Sequence, residues 1–246
     1  MLMLHDYREA FIRLFYPAQC ACCNGMLTLQ ENLLCTDCAQ DLSSLAGSFE
    51  EALVDEKFEH LDHVWTVFTY ESPLKEILHK VKYARKDYLL RACTKPAISL
   101  AQAVTSDYWY DAVLPIPIDR FKFVKRHFNQ AESLLDLLRP WITPPAKTAL
   151  LAKRYPIPSQ ASLSQQERAI NIYGAFKVRH PSKIAGRSFL LIDDVFTTGA
   201  TANEASRILK VHGARRVDLF ALARTISPFA KNSLRFHSYA DKMVAS

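Results

Sequence analysis

The sequence predicts an α/β fold in which a parallel sheet is flanked by helices, with a small cysteine-rich element at the N-terminus. Apolar segments typical of buried strands alternate along the chain with segments of helical periodicity. The most strand-like segment, residues 187–201 (RSFLLIDDVFTTGAT), runs through two acids into a Gly/Thr loop and then a helical pattern. Five cysteines fall between residues 20 and 38.

The composition is that of a soluble protein. Of 246 residues, 49% are hydrophobic and 23% are charged, which suffices for one α/β domain with an addition or for two small domains. No run reaches the roughly 18 apolar residues of a transmembrane helix, and charged residues interrupt the first apolar stretch. We therefore expect no transmembrane segment and no signal peptide, and a place in the cytoplasm or peripherally at the inner face of the membrane.

The net charge of +6 is unevenly distributed. Residues 1–60 contain three Lys/Arg against ten Asp/Glu, whereas the remainder contains 28 against 15. This asymmetry indicates either an anionic partner for the basic part or a generic basic surface. It also suggests a boundary near residue 60. Together with the patterns described below, this predicts three segments: an N-terminal helix and four-cysteine element over 1–60, a main domain over 61–225 and a C-terminal tail over 226–246.

The periodicity of apolar residues assigns the remaining elements. We predict strands over 64–70, 110–116, 149–152, 189–193 and 216–223, and helices over 4–16, 74–81, 89–104, 131–138, 162–170 and from residue 202 to a stop at Gly213. Residues 39–60 have the character of a connector that is partly helical. The last 20 or so residues show no clear pattern.

The 187–201 segment has the features of a site for a phosphorylated sugar. Its two carboxylates can accept hydrogen bonds from vicinal hydroxyls, and backbone N–H groups at the helix start that follows favour a phosphate. Gly199 lets the backbone approach a ligand closely. The candidate residues are Asp193, Asp194, Thr197, Thr198, Gly199, Ala200 and Thr201. The alternative is an ordinary strand–turn–helix junction.

This segment resembles the signature of the type I phosphoribosyltransferases, in which apolar residues precede Asp-Asp, an apolar pair and T-T-G-x-T. The resemblance implies the fold of that family for the main domain. It also implies phosphoribosyl pyrophosphate as the ligand, together with Mg²⁺.

Two C-x-x-C pairs near the N-terminus predict a metal site, Cys20 with Cys23 and Cys35 with Cys38. Zinc takes four thiolates in a closed tetrahedral geometry, and a reducing compartment disfavours disulfides, so we expect a structural, zinc-ribbon-like site. Cys22 remains a spare thiol or a substitute in the first pair. The alternative is that the metal has been lost and the cysteines remain. Outside this element, Cys93 is predicted to be a buried hydrophobe.

A cation-rich loop with interleaved phenylalanines follows the strand over 110–116. Such a loop suits either a pyrophosphate group or the backbone and bases of single-stranded DNA. The candidate contacts here and in two later segments are Arg120, Lys122, Lys125, Arg126, Asn129, Gln130, Lys153, Arg154 and Arg168.

Over roughly residues 10–225 the chain also resembles the ComF (GntX) family of competence proteins. The landmarks are the four cysteines, Lys82-Tyr83, Leu114-Pro-Ile-Pro117, Arg126-His-Phe-Asn-Gln130, Gln160, Leu163, Arg168, Asn171 and Gly174-Ala-Phe176. The resemblance implies a zinc element joined to a phosphoribosyltransferase domain, and a role in natural transformation. Two departures are His127, where the family has glycine, and residues 153–158 (KRYPIP), which lack the family's R-x-R-x-T pattern.

Three functions remain open from the sequence. The first is a competence protein that binds phosphoribosyl pyrophosphate and handles incoming single-stranded DNA, with competence or DNA-processing proteins as partners. The second is an active nucleobase phosphoribosyltransferase of nucleotide salvage. The third is a zinc-dependent scaffold between a DNA helicase or membrane channel and other factors. The sequence offers neither a base-recognition hood nor a general acid, so binding is favoured over catalysis and no catalytic residue is assigned.

Overall fold

The structure is a computed structural model that describes residues 17–52, 58–84, 86–147, 149–154 and 172–225. The predicted helices over 4–16 and 162–170, the candidate Arg168 and the predicted tail over 226–246 lie outside the described residues. The side chains of Lys122, Lys125 and Arg126 lie outside them as well. Within the described part, no helix has the length and apolar character needed to cross a membrane.

The secondary structure consists of strands and helices that largely alternate along the chain. The strands are β1 (Ala46–Ala52), β2 (His63–Thr69), β3 (Ala112–Pro115), β4 (Leu151–Lys153), β5 (Phe176–Val178), β6 (Ser188–Phe196) and β7 (Arg216–Arg224). The α-helices are α1 (Thr36–Ser44), α2 (Leu74–Ala84), α3 (Thr94–Asp107), α4 (Arg120–Arg126), α5 (Gln130–Leu138) and α6 (Ala200–Val211). Short 3₁₀ helices span Asp87–Cys93, Arg139–Trp141 and Pro181–Lys183.

The main sheet has the strand order β1-β2-β7-β6-β3. Strands β2, β7, β6 and β3 run parallel, and β1 lies antiparallel to β2 at the edge. Parallel strands covered on both faces need apolar residues at consecutive positions, which is why β6 and β7 have long apolar runs. The predicted parallel sheet flanked by helices is therefore confirmed.

Side chains of the sheet alternate between two hydrophobic clusters, one on each face. On β6, Leu190 and Ile192 belong to one cluster and Phe189 and Leu191 to the other. Residues of α2, α3 and α5 pack in the Leu190 cluster, whereas residues of α6 and the β4–β5 hairpin pack in the Phe189 cluster. Leu33 of the cysteine-rich element also packs against the Leu190 cluster, so this element is anchored to the sheet domain.

The segment predicted as a connector contains an edge strand, β1. It pairs with β2 in antiparallel register, with Glu51 opposite Val64. Edge strands pair on one side only, and natural proteins commonly place charges on them, so the acidic composition concealed this strand. The main sheet consequently extends across the boundary that the sequence places at residue 60.

Two further segments differ from the prediction. The predicted helix over 89–104 is a 3₁₀ helix up to Cys93 and becomes α3 only at Thr94, because Pro96 has no N–H with which to continue a single α-helix. The cation-rich segment, predicted as a loop, forms α4. The N–H of Phe123 donates to the carbonyl of Asp119 over 2.9 Å at the start of this helix.

Candidate functional site

The acid pair, Asp193 and Asp194, lies near the carboxyl end of β6. The Nζ atom of Lys82 on α2 lies 2.6 Å from Oδ2 of Asp194. Each aspartate also accepts a bond from the N–H of the next residue, over 2.9 Å in both cases. Val195 packs in the same cluster as Ile192, although odd spacing in a regular strand would place them on opposite faces. The strand therefore loses its alternation at the acids.

The two members of the acid pair differ in their electrostatic surroundings. Burial raises the pKa of Asp193, and the neighbouring charge of Asp194 raises it further. Burial alone would lower the pKa of Lys82, but the charge of Asp194, its hydrogen bond to Lys82 and the weaker influence of neighbouring acidic groups together outweigh burial, so the pKa of Lys82 is raised. The arrangement therefore makes Asp193 harder to ionise than an ordinary aspartate and favours the charged form of Lys82.

The 197–201 loop leads from β6 into α6. Gly199, at the N-cap, has a φ of 71°, in the left-handed region that favours glycine. The first internal bond of the helix runs from the N–H of Asn203 to the carbonyl of Gly199 over 2.8 Å, so the N–H groups of 200–202 have no intrahelical acceptor. A small cavity of about 30 Å³, lined by residues 193 and 195–202, lies here. These donors and the helix dipole favour an anionic group.

An aromatic ring packs over Gly199. A Cβ atom at this position would overlap the ring of Phe58 and would lie 2.9 Å from Cε2 of Phe196. The rings of Phe58 and Phe196 are 5.5 Å apart. The chain beside Phe58 is fixed to α6, because Oδ1 of Asn203 accepts a bond from the N–H of His60 over 3.2 Å. Phe58 was not selected from the sequence, since this contact joins distant parts of the chain.

Helix α6 also holds the segment that begins at residue 172. The buried carboxylate of Glu204 accepts a bond from the N–H of Gly174 over 2.8 Å and pairs with Arg207 over 2.6 Å. The guanidinium of Arg207 lies 4.5 Å from the ring centroid of Tyr173. Helix α6 thus anchors both the segment of Phe58 and the residues around Gly174.

The basic candidates lie on separate elements. Arg120 is exposed at the start of α4, and Arg154 is exposed after β4. The ammonium of Lys153 lies 5.4 Å from the ring centroid of Phe176. Among the described side chains, the cation in contact with the acid pair is Lys82, which the sequence marked only as a family landmark.

The junction between α4 and α5 is tightly constrained. His127 has a φ of 65°, so this histidine adopts the left-handed conformation for which a glycine would be the usual residue. Asn129 is buried; its side chain accepts a bond from the N–H of Ala131 over 3.1 Å and donates to the carbonyl of Ile116 over 3.0 Å. Gln130 is buried as well. Asn129 therefore acts as the N-cap of α5 in this structure.

The cysteine cluster consists of Cys20, Cys23, Cys35 and Cys38, whose Sγ atoms all lie within 4.8 Å of one another. Four thiolates at about 2.3 Å from a tetrahedral zinc ion are about 3.8 Å apart. The Sγ atoms of Cys23 and Cys35 are 3.8 Å apart. The four residues selected from the sequence thus form a cluster that could hold a metal ion, and Cys22 is not in the set.

Backbone N–H groups point at the sulfur atoms of this cluster. The N–H groups of Cys22 and Cys35 donate to Sγ of Cys20 over 3.4 and 3.3 Å, and the N–H of Gly25 donates to Sγ of Cys23 over 3.4 Å. Burial raises the pKa of Cys20, but the N–H groups of Cys35, Cys22 and Cys23, together with the Cys23 side chain, lower it more, so its pKa ends below the ordinary value. The loops therefore favour at Cys20 the thiolate form that metal binding requires, whereas the neighbouring sulfur atoms and burial raise the pKa of Cys35 and Cys38.

Glu31 connects the two cysteine pairs. Its carboxylate accepts bonds from the N–H of Thr28 over 2.8 Å and from the N–H of Thr36 over 2.6 Å. Because Thr36 is the first residue of α1, the carboxylate also lies at the positive end of this helix. The N–H of Thr28 and the donors of Thr36 lower the pKa of Glu31 to about 2. No sequence pattern indicates this role, since Glu31 lies in a polar turn.

Comparisons with known proteins agree with this arrangement. The model of the phosphoribosyl transferase domain family matches residues 146–246. Competence protein F of Haemophilus influenzae is 25% identical over 225 residues, which are 85% of this chain and 98% of that protein. ComFC of Streptococcus pneumoniae is 31% identical over 64% of this chain and 66% of that protein. The DNA utilization protein YhgH of Escherichia coli is 27% identical over 65% of this chain and 71% of that protein.

Proposed function

Because this chain is a homologue of competence protein F and ComFC and carries a phosphoribosyl transferase domain, we propose that it acts in natural competence as a phosphoribosyl pyrophosphate-binding protein that handles incoming single-stranded DNA. The observation that supports phosphoribosyl pyrophosphate as the ligand is the acid pair on β6 next to a glycine-capped helix start. A ligand that has both vicinal hydroxyls and a phosphate needs carboxylates to accept from the hydroxyls and, beside them, backbone N–H groups to bind the phosphate.

The proposed ligand binds through its sugar and its 5′-phosphate. The phosphate accepts bonds from the N–H groups of 200–202 and from threonine hydroxyls of the 197–201 loop. The ribose hydroxyls donate to Asp193 and Asp194, and Lys82 holds Asp194 in place. Magnesium, when it accompanies the ligand, supplies charge neutralisation for pyrophosphate and ribose oxygens. The cysteine cluster binds zinc in a structural role, because four thiolates leave no open coordination position.

Single-stranded DNA fits the exposed face of α4. Phe121 and Phe123 expose 72% and 47% of their surface, and Val124 exposes 62%. Arg120 is exposed on the same short helix. Exposed rings next to cations are the combination with which proteins stack bases and track the phosphate backbone. Competence proteins and DNA-processing proteins are the corresponding partners.

Catalysis is the second candidate function. A nucleobase would attack C1 of the ribose as pyrophosphate leaves, and Lys82 would act only through Asp194. Its support is the sugar-phosphate arrangement itself; no described residue is assigned as a general acid or base. Release of pyrophosphate with a panel of nucleobases decides between the two functions, and turnover with any base would establish the enzyme.

Calorimetry on the variant Asp193→Ala/Asp194→Ala tests whether the acid pair binds phosphoribosyl pyrophosphate. Each charge-assisted hydrogen bond contributes about 1.5–3 kcal/mol, so removal of one bond costs about tenfold to a hundredfold in affinity. We expect the double variant to lose nearly all binding of phosphoribosyl pyrophosphate and to retain its metal content. Unchanged affinity would show that the acids are structural.

Oligonucleotide binding by the variant Phe121→Ala/Phe123→Ala tests the DNA surface. We expect weaker, salt-sensitive binding of a labelled single strand with unchanged binding of phosphoribosyl pyrophosphate. The matched control is Trp109→Ala/Trp141→Ala, which removes two exposed rings elsewhere on the protein. Equal losses in both double variants, or no binding by the wild type at low ionic strength, would contradict the DNA assignment.

A further inference from the structure

A polar cleft separates the cysteine-rich element from α2 and the 3₁₀ helix that follows it. Its volume is about 450 Å³, within the size range of small-molecule sites. One wall is formed by residues 17–21, 24, 32 and 33, and the other by Lys80, Lys86, Tyr88 and Leu89. The candidate sugar-phosphate site does not use these residues.

The walls of the cleft are held by backbone hydrogen bonds. The N–H of Leu27 donates to the carbonyl of Ala18 over 2.8 Å, and the N–H of Ala21 donates to the carbonyl of Leu33 over 2.9 Å. On the other side, the N–H of Leu89 donates to the carbonyl of Lys86 over 3.0 Å. The shape of the cleft is therefore set by the backbone rather than by surface side chains alone.

The charge of the cleft is positive. Its charged lining residues are Lys80 and Lys86, and among the described residues neither lysine pairs with an acid. The Nζ atom of Lys80 donates to Oδ1 of Asn24 over 2.9 Å, which holds the ammonium between the two walls. Cys20 also lines the cleft, but its side chain is buried and its sulfur belongs to the cysteine cluster. An anionic group entering here would meet two cations.

The remaining polar groups suit the planar part of a ligand. Tyr88 exposes 47% of its surface at the cleft, so its ring is available for stacking. The amides of Asn24 and Asn32 provide donors and acceptors on the opposite wall. Two ammonium groups, one exposed ring and two amides in one cleft match a phosphate joined to an aromatic base.

Helix α2 stands between this cleft and the acid pair. Lys80 and Lys82 are two residues apart, so they project from nearly opposite sides of the helix. Lys82 contacts Asp194, whereas Lys80 contacts Asn24 of the cysteine-rich element. One helix therefore presents a lysine to each of two separate sites.

We propose that this cleft binds a nucleotide, with Lys80 and Lys86 on the phosphate and Tyr88 stacked on the base. The nucleotide is either a free mononucleotide or one unit of a single-stranded nucleic acid. Binding of a nucleic-acid unit rests on the proposed function, whereas binding of a free mononucleotide does not.

Two titrations test the cleft: calorimetry with dAMP and dTMP, and fluorescence anisotropy with a labelled oligo(dT). In Lys80→Ala/Lys86→Ala and in Tyr88→Ala we expect binding to weaken by about tenfold or more. The control Lys177→Ala/Lys183→Ala removes the same charge from exposed lysines on the other face of the sheet and should change binding less than about twofold. Since Lys80 also holds Asn24, Lys86→Glu serves as a second variant that leaves this contact intact.

The outcomes separate the cleft from the proposed function. Mononucleotide binding that depends on Lys86 and Tyr88 supports the cleft as a nucleotide site, whether or not the oligonucleotide binds. If only the oligonucleotide binds, and its binding depends on Lys86 and Tyr88, the nucleotide is a unit of a single strand. Equal losses in the two lysine pairs, unchanged binding in the cleft variants, or no binding of either probe by the wild type would overturn the proposal. Binding of phosphoribosyl pyrophosphate, measured in the same samples, reports on the proposed function separately and should not change in the cleft variants.

Discussion

Lys82 on α2 forms an ion pair with Asp194 on β6, with 2.6 Å between Nζ and Oδ2. The two groups come from elements more than a hundred residues apart in the chain. Their contact places a positive charge beside two adjacent acids, one of which, Asp193, has a raised pKa. Lys82 therefore governs how much negative charge the acid pair can hold, and how the Asp194 carboxylate is oriented.

Replacement of Lys82 by methionine should weaken the binding of phosphoribosyl pyrophosphate by about tenfold at neutral pH. Without the ammonium, which lowers the pKa of Asp193, this acid is harder to ionise, so the carboxylate that accepts a sugar hydroxyl is less populated. Binding by the variant should recover as the pH is raised, which displaces its pH profile towards alkaline values. Calorimetry across pH measures this displacement, and Lys82→Arg should behave much like the wild type. A methionine variant with the affinity and pH profile of the wild type would contradict this role.

The raised pKa of Asp193 predicts a pH dependence of stability. The folded protein holds this proton more tightly than the unfolded chain, whose aspartates have a pKa of about 3.9. The contribution is therefore complete below the unfolded pKa and is lost as the pH rises through the folded value. Asp193→Asn removes this term while keeping the shape. In urea unfolding at a series of pH values, the wild type should lose stability relative to the variant as the pH increases; parallel curves would exclude the effect.

The central site could be predicted from the sequence because its parts are contiguous. Strand, acids, loop and helix start follow one another within residues 187–201, so the pattern needs no knowledge of tertiary contacts. Lys82 and Phe58 reach the same region from other parts of the chain, and Glu204 of α6 binds the distant Gly174; a single sequence does not reveal such long-range contacts. A lysine in a helical segment has the same local pattern whether it faces solvent or Asp194.

In the cysteine-rich element too, contiguous residues could be predicted from the sequence, whereas contacts that depend on the fold could not. The two C-x-x-C pairs identify the ligands by spacing alone. The carboxylate of Glu31, which joins the first turn to the start of α1, depends on a loop geometry that spacing does not encode. Strand β1 was missed for a different reason, since its acidic residues on a sheet edge lack the alternation that identifies strands.

Replacement of Cys35 by serine should remove the metal from the cysteine cluster. Structural zinc contributes to the folding free energy directly, so the variant should also lose stability in the cysteine-rich element. Elemental analysis of the purified protein should give about one zinc per chain for the wild type and much less for the variant. Cys22→Ser is the matched control, because Cys22 is not among the four clustered residues. Full metal content in Cys35→Ser would refute the assignment of the ligands.

Gly199 and Gly186 provide a matched pair for the 197–201 loop. Their φ angles are 71° and 72°, so alanine at either position incurs a similar left-handed strain of about 1–2 kcal/mol. A Cβ atom at Gly186 meets nothing within 4 Å, whereas one at Gly199 overlaps the ring of Phe58. Gly199→Ala should therefore destabilise the protein more than Gly186→Ala in thermal unfolding.

The same pair separates strain from function. Gly186→Ala should bind phosphoribosyl pyrophosphate with the affinity of the wild type, whereas Gly199→Ala should bind it at least about tenfold more weakly, because the loop must shift to relieve the overlap. Addition of Phe58→Ala to Gly199→Ala should restore much of the extra loss of stability, since it removes the ring that the new methyl group meets. Equal destabilisation by the two glycine variants, or no restoration by Phe58→Ala, would show that the ring does not constrain this loop.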